Sequence, residues 1–263
     1  MEIQKLTAGV ISLSKEVGEF IRREALVFKR EHVEYKGLHD MVSYVDKTAE
    51  ISIVKGLRSL LPVAGFVTEE KTTTITGEKY NWIIDPLDGT TNFIHGLPTY
   101  SISIALQCDD ELILGVVYEI NRDECFSAWK NGGAYLNNRR ILVSKASRIE
   151  NTLLATGFPY YEFGKLDAYL AVLKELMQRC HGVRRIGSAA IDLAYVACGR
   201  FDGYFEFNLN SYDVAAGIVL VREAGGEVFD FTGGNNSIER REMVATNGLI
   251  STELLRILEE KFN

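Results

Sequence analysis

Between Trp82 and Phe93 the chain reads Trp-Ile-Ile-Asp-Pro-Leu-Asp-Gly-Thr-Thr-Asn-Phe, and few folds can accommodate such a run. Three apolar residues close a buried strand, and Asp85 and Asp88 follow three positions apart. Pro86 fixes its own φ and offers no N–H, while Gly89 admits a backbone that other residues resist. A turn of this kind aims two carboxylates at one point just past the strand end. Gly89-Thr90-Thr91-Asn92 then supplies backbone N–H groups and hydroxyls. Carboxylates beside an anion-friendly backbone repel its ligand unless cations lie between. The run predicts a Mg²⁺-dependent phosphate site.

The remaining composition bounds that idea. A chain of 263 residues with 46% apolar and 25% charged residues is an ordinary globular protein, in one large domain or two modest ones. A net charge of −7 argues against nucleic acid and against an anionic membrane surface. It also leaves phosphate binding in need of a local positive source, which bound metal ions supply. Cys108, Cys125, Cys180 and Cys198 show no metal-ligand spacing and read as reduced thiols. The first residues hold no signal-peptide core, and no apolar run is long enough to span a bilayer, so a cytoplasmic location is expected.

Along the chain, Ile3, Leu6, Val10, Leu13, Val17 and Phe20 mark an amphipathic helix. Residues 33–44 read as a hairpin or mobile loop. A second helix runs from Val45 and stops at Pro62. Phe66-Val67 is a short strand, and residues 71–80 are polar and exposed. Strands over 100–106, 112–120, 124–129 and 134–136 form an antiparallel meander. Beyond residue 147 (to within about five positions) strands alternate with helices. Strands fall at 152–156, 183–186, 203–207, 227–229 and 243–246, and helices at 165–179, 187–198, 211–224 and from Ser251. The expected fold is α+β in residues 1–147, carrying the Glu69, Asp85 and Asp88 loops, and more α/β in residues 148–263, carrying Asp213.

Three acidic groups fall at strand ends or helix starts: Glu69-Glu70, Asp85 with Asp88, and Asp213. Alone, Glu69-Glu70 reads as a solvated turn, and Asp213 reads equally as a first-turn acid favoured by the helix dipole. Val-Ala-Ala-Gly after Asp213 is small, so another backbone can approach that helix closely.

Together with Tyr-Asp-Val-Ala-Ala-Gly-Ile-Val-Leu-Val-Arg-Glu-Ala-Gly-Gly at 212–226, the 82–93 run resembles the paired signatures of the inositol monophosphatase family. Ala155–Pro159 and Arg185–Ala190 extend the resemblance over nearly the whole chain. It implies a layered αβαβα sandwich, usually dimeric, and a Mg²⁺-dependent, Li⁺-sensitive phosphatase holding two to three ions. By the same resemblance Glu69, Asp85 and the Leu87 carbonyl hold one ion, and Asp85, Asp88 and Asp213 a second, with a looser third near Glu69. Thr90, paired with Asp46, helps Glu69 orient and deprotonate a metal-bound water, and the Gly89 and Thr90 N–H groups receive phosphate. Gly187, Ser188, Ala189 and Glu206, with Asp88 and Asp213, line the pocket for the alcohol.

The expected substrate is a small phosphorylated polyol, inositol 1-phosphate foremost, with fructose 1,6-bisphosphate or other sugar phosphates as alternatives. A 3′-phosphoadenosine 5′-phosphate phosphatase fits less well, because Thr91 follows Asp-Gly-Thr where that branch carries Lys. A homodimer is expected, and a role as partner of the transcription machinery is the non-enzymatic alternative. Tyr212 departs from the Trp common in the family. Lys36 matches a family lysine loosely, and His39 is expected to be exposed. His95 is expected to be structural, Arg184 and Arg185 to serve a surface or an interface, with approach to the substrate as the alternative, and His32 and His181 are assigned no role.

Overall fold

The computed structural model describes residues 2–29, 31, 33–35, 41–159 and 163–262. Lys36 and His39 lie outside them. Two long helices, α1 (Ile3–Val27) and α2 (Tyr44–Leu60), flank a hairpin of β1 (Val33–Tyr35) and β2 (Met41–Ser43). The apolar stripe of α1 ends near Phe20, yet the helix runs on to Val27, leaving Leu26 and Val27 exposed. Good helix formers at 22–25 continue it, and Arg22 donates to the Tyr118 hydroxyl at 3.1 Å and to the Ile120 carbonyl.

A seven-stranded sheet follows: β3 (Gly65–Thr68), β4 (Tyr80–Asp88), β5 (Ser101–Cys108), β6 (Glu111–Glu119), β7 (Glu124–Trp129), β8 (Gly133–Leu136) and β9 (Arg139–Ile141), in that spatial order. Only β3 is parallel to its neighbour; the others form the expected meander. Strand β9 was not legible from its own residues. It is set by Asn137 and Asn138, both at positive φ, in a two-residue hairpin turn. Between β4 and β5 the helix α3 (Thr90–His95) interrupts the meander.

The second sheet is mixed. Strands β10 (Leu153–Thr156), β11 (Gly182–Arg184), β12 (Gly203–Phe207), β13 (Glu227–Phe229) and β14 (Glu242–Thr246) take the order β11-β10-β12-β14-β13. Its helices are α4 (Leu166–Arg179), α5 (Ala189–Ala197), α6 (Ser211–Glu223) and α7 (Ser251–Phe262).

Five layers result, separated by three apolar clusters. Trp82 and Ile84 face α1 and α2, whereas Ile83 faces the opposite way, toward α5 and α6. That alternation is the period of a strand covered on both faces. The α5–α6 layer also meets Tyr204, Met243 and Ala245 of the second sheet. The other face of that sheet packs Phe205 and Val244 against α4 and α7. The expected αβαβα sandwich is the observed one.

The seam between α6 and the first sheet is tight. A Cβ on Gly115 of β6 would come within 2.4 Å of the Ala216 carbonyl oxygen, and one on Gly217 within 2.4 Å of Leu193 on α5. The small residues after Asp213 thus permit backbone-to-backbone contact. No cysteine is disulfide-bonded. Among the described residues no helix is long and apolar enough to cross a membrane.

Candidate active site

The sequence placed Asp85 and Asp88 just past a strand end. Instead, β4 continues through both, and its register against β5 shifts between them. Pro86 sits in this bulge, where a missing N–H costs no ladder bond. The Asp85 carboxylate accepts from the Leu87 N–H at 2.9 Å, which holds it against its own strand. Gly89 then turns at φ 96°, and a side chain there would crowd the Thr99 and Gly187 carbonyls. The left-handed turn starts α3, whose first residue is Thr90.

Thr90 Oγ1 lies 3.0 Å from an Asp46 carboxylate oxygen and 2.9 Å from the Leu87 carbonyl. Asp46 itself closes a capping box at the start of α2, accepting from the Ser43 N–H at 2.9 Å and the Ser43 hydroxyl at 2.6 Å. The Thr90 hydroxyl is therefore fixed through a carboxylate that the helix end has already immobilised.

Asp88 reaches across to the second half of the chain. Its Oδ2 accepts from the Ser188 hydroxyl and, at 2.8 Å, from the Ala190 N–H at the start of α5. Ser188 caps that helix and gives its proton to Asp88. Asn92 makes a second tie, donating to the Thr99 carbonyl at 2.7 Å and the Ile186 carbonyl at 2.8 Å. Asp213 opens α6 and accepts from the Asn210 N–H at 2.6 Å.

Asp85, Asp88, Thr90 and Asp213 line one cleft of about 200 Å³ with Glu69, Leu87, Gly89, Gly187, Ser188, Ala189 and Glu206. Asp46 lies behind it, reached through Thr90. Burial and mutual repulsion hold the Glu69 and Asp85 carboxyls well above the carboxylate range; the hydrogen bond they share adds to the rise at Asp85 and opposes it at Glu69. Burial lifts Asp88 to about 6 against the pull of the Ser188 hydroxyl, and Asp213 to about 7. The four acids offer oxygen ligands, the donors that hard divalent cations take. Among the described residues no group of three or more His, Cys, Asp or Glu is arranged to hold a metal ion.

At the far end burial pushes Glu206 up to about 8, and Glu206 accepts from the Tyr204 hydroxyl at 2.5 Å. Gly157 makes room for it, since a Cβ there would fall about 2 Å from the Glu206 carboxylate. Arg185, expected at a surface or interface with the substrate as the alternative, lines the cleft with its guanidinium 5.5 Å from the Phe158 ring centroid. Asp192 and Arg241 line it too and were not singled out from sequence. Asp192 interrupts the apolar run of α5 and has a buried oxygen without a hydrogen-bond partner. Tyr212 lines the cleft in place of the family's Trp. His95 is exposed.

The model of the "Inositol monophosphatase family" matches residues 2–262. An "Inositol-1-monophosphatase" of Mesorhizobium japonicum is 38% identical over 253 residues, 95% of each chain. The "Nus factor SuhB" of Escherichia coli is 43% identical over 229 residues, 87% of this chain and 86% of that one. The solved structure of an inositol monophosphatase from Anabaena superposes with a TM-score of 0.89 at 33% identity, covering 99% of this chain and 98% of the other. The chain belongs to the inositol monophosphatase family, a family of phosphoric monoester hydrolases.

Proposed function

We propose that this protein hydrolyses a small phosphorylated polyol, inositol 1-phosphate foremost, by direct attack of water. The carrying observation is the set of four acids, buried Asp85 and Asp88 with half-buried Glu69 and Asp213, in one cleft beside the start of α3. The family uses metal ions; our reading is two to three Mg²⁺, held by these carboxylates and the Leu87 carbonyl. When bound, such ions neutralise phosphate charge and lower the pKa of water.

The protein's own residues do the rest. Glu69 and the Asp46–Thr90 pair orient the attacking water, with the Thr90 oxygen accepting from it while its proton points to Asp46. Backbone N–H groups of Gly89 and Thr90 receive the phosphate. Asp88, Asp213, Gly187, Ser188, Ala189 and Glu206 position the alcohol, and a carboxylate suits a hydroxyl donor. Phosphoryl transfer needs placement and charge more than covalent help. In the same reading the enzyme is a Li⁺-sensitive cytoplasmic homodimer of two halves dividing near residue 147. Fructose 1,6-bisphosphate and other sugar phosphates are the alternative substrates.

Phosphate release from inositol 1-phosphate, fructose 1,6-bisphosphate and 3′-phosphoadenosine 5′-phosphate tests this, with Mg²⁺, with EDTA and with Li⁺. Expected is Mg²⁺-dependent, Li⁺-inhibited release with inositol 1-phosphate among the best substrates. No turnover of any ester by folded, Mg²⁺-loaded protein would sink the reading. A second reading is favoured by the relatives called Nus factor SuhB: a partner of the transcription machinery. Pull-down with and without Asp88→Asn separates it from catalysis.

A further inference from the structure

Helix α2 presents two carboxylates one turn apart on its buried face, Asp46 and Glu50. Asp46 is accounted for by Thr90. Glu50 has no exposed surface, and it sits where an apolar side chain would pack more cheaply. It accepts from the Glu70 N–H at 2.7 Å, the Thr72 N–H at 2.8 Å and the Thr72 hydroxyl at 2.7 Å. Between those donors Lys71 takes φ 54°, a left-handed conformation rare outside glycine, which turns both N–H groups onto one carboxylate.

The stapled loop is otherwise exposed: Lys71, Thr72 and Thr74–Thr76 all face solvent. An interior carboxylate is a costly way to hold a surface loop unless the position of that loop matters. Its N-terminal neighbour is Glu69, whose own N–H donates to the Ile84 carbonyl at 3.3 Å, next to Asp85. Glu69 is thus bracketed, by β4 on one side and by Glu50 on the other.

We propose that Glu50 is a positioning residue that sets the metal affinity of the cleft by fixing the backbone just beyond Glu69. Asp46 and Glu50 make α2 a common jig, one aligning the Thr90 loop and the other the Glu69 loop. The proposal rests on the reading of the cleft as a metal site.

The test is direct Mn²⁺ binding by titration calorimetry and electron paramagnetic resonance on wild type, Glu50→Gln and Glu50→Asp. Half-saturating Mg²⁺ for phosphate release is measured alongside. Losing a group that orients a ligand typically weakens metal binding by about 10–100-fold. That shift is expected in both variants, in binding and in half-saturation alike, with activity near wild type at saturating Mg²⁺. Glu50→Asp keeps the charge and loses only reach, so wild-type affinity there would mean that charge alone matters and would overturn the proposal. Variants that melt earlier yet bind Mn²⁺ as wild type does would overturn it as well. Should either variant not fold, Thr72→Val keeps Glu50 and both backbone donors, and a shift of about 2–10-fold is expected from one hydrogen bond; no shift counts against the proposal. Wild type that binds no Mn²⁺ sinks the metal reading itself, a result distinct from all of these.

Discussion

The two ends of the cleft are built by different means. The phosphate end hangs on main chain: a bulge in β4, a left-handed glycine and the starts of α3, α5 and α6 fix its acids. Beyond the α5 start and the two acids that it shares with the phosphate end, the alcohol end is built from side chains standing behind one another: Tyr204 on Glu206, and Arg185 beside Phe158. Main chain tolerates little substitution and fixes geometry; side-chain stacks can be exchanged one at a time. Chemistry should therefore be rigid at one end and selectivity adjustable at the other.

Asp88→Asn offers the hardest break of that contrast. The amide oxygen can still accept from the start of α5, so the variant should fold with an unchanged circular dichroism spectrum. Its kcat/KM should fall about 100–1000-fold for every ester, the scale for losing one preorganised electrostatic group. Activity near wild type would remove Asp88 from the phosphate end.

Glu206→Gln should act selectively. KM for inositol 1-phosphate should rise about 2–10-fold, the scale of one hydrogen bond, with p-nitrophenyl phosphate unaffected. Equal losses on both esters would erase the distinction between the ends.

The smallest effect is on stability, and it reports on both ends. Asp88, Asp213 and Glu206 titrate at about 6, 7 and 8 in the folded chain, each above its ordinary value because of burial. The native state then binds more protons than the unfolded one, and stability falls as pH rises. In EDTA, melting should be highest below about pH 4 to 5 as far as these three groups decide it, and decline through pH 8. The scale is about 2–4 °C for each kcal/mol. Mg²⁺ should raise Tm more at pH 8 than at pH 5, since protons compete for the same oxygens. A Tm in EDTA that climbs between pH 5 and 8 would contradict the burial account.

Legibility from sequence followed the same division. Asp85, Asp88 and the strands around them were readable because residue type and spacing carry the information locally. The Asp46–Thr90 contact came only through family resemblance, and the lone β4 bulge was read as a turn because Pro86 signals both. Glu50, Asn92 and Asp192 were passed over, since their partners lie elsewhere in the chain. Asn92 meets a carbonyl 94 residues away. A signal was present for two of them: Glu50 shares the buried stripe of Ala49, Ile53 and Leu57, and Asp192 sits inside Ala189–Ala197. A charge on a buried stripe is worth a question about what it holds.

The seam at Gly115 extends this point. Where α6 crosses Gly115 of β6, main chain meets main chain, so nothing compressible lies beneath the helix at that point. Its height above the sheet is set by covalent dimensions rather than by rotamers, as on a machined seat. Asp213 rides on the first turn of that helix, so its spacing from Asp85 and Asp88 behaves like a gauge block cut in main chain. Pocket walls can then be recarved for another alcohol while the tool that grips the phosphate keeps its calibration.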